Sequence, residues 1–153
     1  MKLEEAENIA NEIVTKLRPY VSRILVAGSI RRGRPFPRDI DLVVTPSDPW
    51  RLEEALRSLG QRVLWGPQLK RLVYKGVQVD IYITSVRKWG IISLVRTGSE
   101  RHNIKLAKRA KELGLKFSAA DGIIDRGLVV ACETEEDIFK ALGLEYIPPE
   151  RRE

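Results

Sequence analysis

Thiol and imidazole chemistry are nearly absent from this chain. It has one cysteine, Cys132, and one histidine, His102. A single cysteine forbids an internal disulfide and cannot build a thiolate cluster, and one histidine is too few for a histidine-rich zinc site, so any metal is expected on oxygen ligands. Long apolar runs are missing as well: no stretch approaches the roughly 20 residues of a membrane span. The opening Met1-Lys2-Leu3-Glu4-Glu5 lacks the basic-then-apolar layout of a signal peptide. These absences lead to the expectation of an intracellular chain, in cytoplasm, nucleoid or nucleus, with no membrane partner. Repeats and low-complexity tracts are absent too. The 153 residues, 43% of them apolar, suit one domain or one body with two lobes.

What is present is positive charge, and it is unevenly spread. The net charge is +6. Residues 87–116 carry nine Lys and Arg against Glu100 and Glu112, whereas 133–153 carry seven acids against three bases. Such segregation points to a phosphate-rich partner.

The chemistry-bearing stretch runs from Gly28 to Asp41. It holds a Gly28-Ser29 turn, four arginines (Arg31, Arg32, Arg34, Arg38) and the pair Asp39-Ile40-Asp41, between apolar runs at 24–27 and 40–44. On a strand, residues i and i+2 share a face, so Asp39 and Asp41 are expected to project together while Ile40 points inward. Two adjacent carboxylates repel unless a cation lies between them, and a hard divalent ion such as Mg²⁺ suits carboxylates plus substrate phosphates. Gly28 and Ser29 have the backbone N–H groups and hydroxyl to hold those phosphates. An Asp-x-Asp alone is common as surface decoration; the combination is what carries weight.

Periodicity predicts a helix over 3–17, strands over 23–27 and 39–45, and a helix from Pro49 to Leu59 with Asp48 as N-cap. Strands over 62–65, 71–75 and 77–84 follow, the last two joined at Lys75-Gly76 as a hairpin. In the last strand Val77, Val79, Ile81 and Ile83 share one face. Asp80 lies on the other with Gln78, Tyr82 and Thr84, either a functional acid or an exposed residue of a half-solvated sheet. From Val86 the pattern turns helical, with Trp89, Ile92 and Val95 on one face. Ser99 then caps a second helix to Leu113, on which Arg101, Lys105, Lys108 and Arg109 oppose Leu106, Ala110 and Leu113. A basic face backed by an apolar one suits a helix lying along a nucleic-acid backbone. Short strands at 115–118, 122–124 and 128–131 precede a helix over 138–142, capped from Thr134. Strands give way to basic helices near 85–95.

These residues resemble a known family. Gly28-Ser29, Arg31-Arg32-Gly33, Asp39-x-Asp41 and the third strand acid Asp80 are similar to the palm of the nucleotidyltransferase superfamily. Thr97-Gly98-Ser99 with Asn103, then Asp137-Ile138-Phe139 and the closing Tyr146, Pro149 and Arg151, resemble the thumb of family X DNA polymerases, the group of DNA polymerase beta. The resemblance runs from about residue 5 to the end. It implies an α+β fold: a nucleotidyltransferase palm over 1–90, a mixed or antiparallel sheet flanked by helices, then a small α/β thumb over 91–153. With 27 residues before Gly28, neither fingers nor a lyase domain is expected.

The resemblance further implies that Asp39, Asp41 and Asp80 bind two Mg²⁺ ions, with Mn²⁺ an alternative, and that Asp80 serves the ion activating the primer 3′-hydroxyl. Gly28, Ser29, Arg32 and the backbone near Arg38 would hold the triphosphate. Thr97 and Gly98 would line the sugar pocket, and Asn103 would reach the base or its minor-groove edge. Val95-Arg96 stands where the family often has Tyr-Phe, so relaxed sugar discrimination is expected. Arg38 replaces a frequent Gly, and Gln78 a frequent Arg. Arg96, Arg101, Lys105, Lys108 and Arg109 are the expected DNA contacts. The expected activity is a monomeric DNA polymerase adding dNTPs to a primer at short gaps or nicks during repair. The alternatives are a small nucleotidyltransferase acting on RNA or protein, and a DNA-binding module with a palm fold.

Overall fold

The computed structural model describes residues 1–153. The chain divides into two units, Met1–Thr84 and Ser85–Glu153, at the head of the interval in which strands give way to basic helices. No helix is long and apolar enough to cross a membrane.

In the first unit, α1 (Leu3–Leu17) places Ala6, Ala10, Ile13 and Leu17 on its buried stripe, the helical spacing read in the sequence. Pro19 then sits in a single 3-10 turn, Arg18–Tyr20. Strands β1 (Val21–Val26) and β2 (Ile40–Pro46) are separated by a one-turn helix, α2 (Gly28–Arg31). α3 (Pro49–Leu59) follows, with Asp48 accepting the Arg51 N–H as its N-cap. Three further strands, β3 (Gln61–Trp65), β4 (Leu69–Tyr74) and β5 (Val77–Ile83), complete the sheet.

The sheet order is β1-β2-β5-β4-β3. β2 and β5 run parallel and every other pair is antiparallel, so the sheet is mixed. The parallel pair sits at the centre because the chain leaves β2, crosses through α3 and returns by the β3–β4 meander. One sheet face is mostly apolar: Ile40, Leu42, Val44, Leu72, Tyr74, Val79 and Ile81 pack with Ile13 and Leu17 of α1 and with Leu52 and Leu56 of α3, while Lys70 of β4 shares that face, buried and paired with Glu53 of α3 at 3.4 Å. Residues of opposite parity point to the other face, and these include Asp41, Asp80 and Arg71.

β1 begins two residues before the expected start and ends at Val26, because Val21 pairs with Pro46 and the chain turns into α2 after Ala27. The Gly-Ser turn is therefore helical rather than a simple strand-to-strand turn. The Lys75-Gly76 hairpin forms as read, with Tyr74 and Val77 as the last paired residues.

The second unit contains α4 (Trp89–Thr97), α5 (Glu100–Glu112), strands β6 (Lys116–Ser118), β7 (Gly122–Asp125) and β8 (Leu128–Ala131), and α6 (Glu135–Ala141). The three strands form an antiparallel sheet in chain order. Two caps read from the sequence are present: Ser99 Oγ accepts the His102 N–H at 3.2 Å, and Thr134 Oγ1 accepts the Asp137 N–H at 3.0 Å. The residues read as one face of α4 are not its deepest ones, although Ile92 and Val95 pack against the core. Ile91 and Leu94 are fully buried, while Ile92, Val95 and Trp89 are only half-buried. The helix begins at Trp89 rather than Val86, and Gly90 packs so tightly on the Thr134 backbone that an added Cβ would overlap it, which turns the 91/94 stripe inward. Leu113 is likewise more exposed than its spacing implied.

At the chain end, Arg152 is fully buried. Its Nη1 and Nη2 each donate to Glu135 at 3.1 Å and its Nε to the Ile147 carbonyl at 2.9 Å. Its guanidinium lies 5.3 Å from the ring centres of both Phe139 and Tyr146. Paired, hydrogen-bonded and stacked, the charge meets the conditions under which a buried arginine is tolerated. The anchored residue of the closing motif is thus Arg152, and Arg151 is exposed.

His102 packs against Phe139, ring centres 6.0 Å apart, and neither buried ring nitrogen has a hydrogen-bond partner. Burial, reinforced by the charges of Arg152 and Lys105 and opposed by Glu135, pushes its pKa down to about 4. The folded unit holds His102 neutral, whereas the unfolded chain protonates near 6.5. Its contribution is therefore full above pH 6.5, declines as the pH falls toward 4 and is lost below that, by about 3 kcal/mol. Denaturant unfolding at pH 7 and pH 4.5 should show a larger loss of stability in the native chain than in His102→Phe. Equal losses would contradict this account.

Candidate active site

The central feature is one row across three neighbouring strands. Asp41 of β2 is the register partner of Asp80 of β5, and Asp80 is the register partner of Arg71 of β4. In-register neighbours on a shared face have Cβ atoms only ~5 Å apart. Two acids and an arginine therefore stand side by side on the face opposite the one that α1 and α3 cover. Asp39 lies one residue before β2 and is exposed, Asp41 is half-buried, and Asp80 is 4% exposed. Asp80 is thus a buried carboxylate, not an exposed residue of a half-solvated sheet.

Asp80 is held by Arg71 on both oxygens: Nε donates to Oδ1 at 2.8 Å and Nη2 to Oδ2 at 3.1 Å. The Tyr82 hydroxyl donates to Oδ2 at the longer distance of 3.5 Å. Hydrogen bonding to Asp80 raises the Arg71 pKa above its ordinary value, and Asp39 adds a smaller attraction. Sequence reading missed Arg71, since an arginine alternating with apolar residues on a strand gives no sign of its cross-strand neighbour. The available signal was that Gln78 and Tyr82, the same-face neighbours of Asp80 on β5, offer a buried acid no positive charge.

Asp41 is placed by its contact with α2. Its backbone carbonyl accepts the Ala27 N–H at 2.8 Å. Its carboxylate covers Gly28, where an added Cβ would overlap Oδ2 and lie 3.1 Å from Cγ. Gly28 also has φ +62°, a left-handed conformation that L side chains rarely adopt. Glycine is required there on both counts. The turn continues with the Arg31 N–H bonded to the Ala27 carbonyl and the Arg32 N–H to Gly28. Ser29 and Arg32 are half-buried within this turn; Arg38 is exposed beside the buried Pro37.

The fit of a divalent metal rests on the donor set. Asp39, Asp41 and Asp80 are hard oxygen donors, and the backbone register brings two of them side by side, which suits Mg²⁺. As the side chains stand, no three acidic, histidine or cysteine groups are gathered closely enough to hold an ion. Asp80 faces Arg71 instead.

The second unit carries its own expected contacts. Thr97 and Gly98 are buried at the end of α4, and the Gly98–Ser99 peptide bond is cis. The Ser99 N–H reaches the Arg152 carbonyl at 3.3 Å, so the anchored chain end supports this corner. Asn103 Nδ2 donates to the Val95 carbonyl at 3.0 Å, tying the two expected nucleotide-contacting residues together. On α5, Arg101, Lys105 and Lys108 are exposed, with Arg96 exposed near the end of α4. Lys105 Nζ donates to the Glu153 carbonyl at 2.7 Å. Arg109 differs from the others. It is half-buried, and its Nε donates to the Leu142 carbonyl at 3.0 Å, so it joins α5 to the end of α6 rather than projecting from the basic face.

Comparison with known proteins bears on both units. A family model described as DNA polymerase beta thumb matches residues 93–153. The DNA polymerase/3′-5′ exonuclease PolX of Bacillus subtilis is 28% identical over 97% of this chain and 28% of its own length. The DNA-directed DNA/RNA polymerase mu of Homo sapiens is 37% identical over 52% of the chain and 16% of its own length. DNA polymerase lambda of Rattus norvegicus is 25% identical over the whole chain and 33% of its own length. The chain spans about a third or less of each of these relatives. The thumb match and the relatives that align along the whole chain, beside the mixed sheet with its paired acids, make this chain similar to family X of the DNA polymerases.

Proposed function

We propose that the chain catalyses metal-dependent transfer of a deoxynucleotide from a dNTP to a primer 3′-hydroxyl, filling short gaps in DNA. The single observation that carries this reading is the in-register juxtaposition of Asp41 and Asp80, with Asp39 just before β2 and the Gly28–Arg31 turn against Asp41. Asp39, Asp41 and Asp80 would hold Mg²⁺ or Mn²⁺, which stabilises the attacking and leaving oxygens of an in-line phosphoryl transfer. Ser29, Arg32 and the backbone beside Arg38 would bind the triphosphate. Gly28 keeps the backbone close enough for Asp41 to share that site. Asp80, buried and beside Asp41, is the candidate acceptor of the 3′-hydroxyl proton. The relatives' printed names support polymerase chemistry, and the charge of α5 supports a DNA partner.

With Mg²⁺ or Mn²⁺, a gapped primer-template should be extended. Asp80→Ala should lower extension by at least about a hundredfold while the circular-dichroism melt remains cooperative; full activity in that variant would refute the mechanism. Binding to gapped DNA without incorporation under either metal would favour a DNA-binding module instead, and labelling of RNA or protein in place of a primer would favour the other nucleotidyltransferase reading.

Binding to DNA should depend steeply on salt. If Arg101, Lys105 and Lys108 each meet a phosphate, log Kd should rise with log salt with a slope of about 3. Fluorescence anisotropy over a salt series checks this, and a flat response removes the basic face of α5 from the interface.

Val95 is the proposed sugar gate. It is half-buried, and its carbonyl is fixed by Asn103. A small aliphatic side chain leaves room that a larger ring would fill, so the native chain should accept ribonucleotides readily. Val95→Tyr should raise the dNTP to rNTP incorporation ratio by roughly tenfold or more, as a steric clash with one hydroxyl implies. An unmoved ratio would show that the gate lies elsewhere.

A further inference from the structure

We propose that Arg71 is the resident counter-cation of Asp80 and competes with the metal for it. Divalent-ion binding in this chain then displaces a guanidinium rather than filling an open position. The proposal rests on reading Asp39, Asp41 and Asp80 as metal-holding residues. It concerns what these side chains do before any ion arrives.

The argument begins with burial. Asp80 is 4% exposed on a central strand, and an ionised carboxylate there is costly without a partner. Asp41, its register partner on β2, is a second negative group and makes matters worse. Gln78 and Tyr82, its same-face neighbours on β5, are neutral. The relief comes from the opposite side of the row, where β4 alternates so that Leu72 and Tyr74 enter the core and Arg71 turns to the face of the acids. Antiparallel register then sets Arg71 directly beside Asp80.

The pairing is bidentate, with one nitrogen on each carboxylate oxygen. That fork is the strongest form of arginine–carboxylate contact, and it fixes the direction in which the carboxylate faces. Asp80 so held is not gathered with the other two acids into a group that could hold an ion. An ion that binds with Asp80 as a ligand must weaken at least one of these two bonds. The same charge that holds Asp80 in the metal-free chain thus lowers its affinity for the metal. Arg71 is a positioning residue in this sense, acting on the site through Asp80.

The test is Mn²⁺ binding to the full chain without nucleotide or DNA, read by the electron paramagnetic resonance signal of the free ion. Arg71→Gln should bind Mn²⁺ roughly fivefold or more tightly than the native chain, because one opposing charge is gone. Its metal-free thermal midpoint should fall, and added Mn²⁺ should raise that midpoint more than in the native chain. Should Arg71→Gln not fold, Arg71→Lys, which keeps the charge but loses the fork, should show the same tightening to a lesser degree. Equal or weaker Mn²⁺ binding in a folded Arg71 variant would overturn the proposal. Asp41→Asn separates this failure from failure of the underlying reading. If Asp41→Asn abolishes Mn²⁺ binding while Arg71→Gln leaves it unchanged, the metal site stands and the competition falls. If no chain, native or variant, takes up Mn²⁺, both fall.

Discussion

The constraint on which this structure turns is the placement of two carboxylates, Asp41 and Asp80, as register partners on adjacent parallel strands. Nothing in stability alone favours such a pair, since like charges directly opposite one another on a sheet are destabilising. The surrounding elements are arranged to tolerate it. β4 supplies Arg71 on one side, and α2 supplies a glycine over which the Asp41 carboxylate lies. The apolar face of the same strands packs against α1 and α3, which anchors the backbone so that the acids stay where the register sets them.

The second unit solves a comparable problem differently. Its buried charge is Arg152, satisfied by Glu135, the Ile147 carbonyl and two aromatic rings. This closes the end of the chain onto α6 and supports the corner at Gly98–Ser99, where the expected nucleotide contacts lie. Each unit thus meets a buried charge with a bidentate arginine–carboxylate pair, Arg71 with Asp80 in the first and Arg152 with Glu135 in the second. Arg109 adds a smaller tie within the second unit, its Nε donating to the Leu142 carbonyl at the end of α6.

Much of the fold was legible because its signals are local. The alternation of β5, the heptad-like stripes of α1 and α3, the Asp48, Ser99 and Thr134 caps and the Lys75-Gly76 hairpin depend on neighbours within a few residues. Where reading failed, a distant contact decided. The anchored arginine of the closing motif was set by Glu135 rather than by spacing from Tyr146. α2 escaped notice because four residues are too few for a periodicity to show.

The sequence by itself determined the chemical inventory: three acids without a histidine or cysteine set to compete for a metal, a glycine–serine turn, a segregated basic helix and the motifs that resemble family X. It also determined the strand parity that puts Asp80 opposite the apolar face. Only the tertiary structure decided what Asp80 touches. Side-chain parity follows from backbone geometry within one strand, but the partner across a sheet follows from register, which is set by crossover, turns and core packing together. Arg71 therefore looked like an ordinary surface arginine until β4 and β5 were paired, and only then became the group that decides how Asp80 faces.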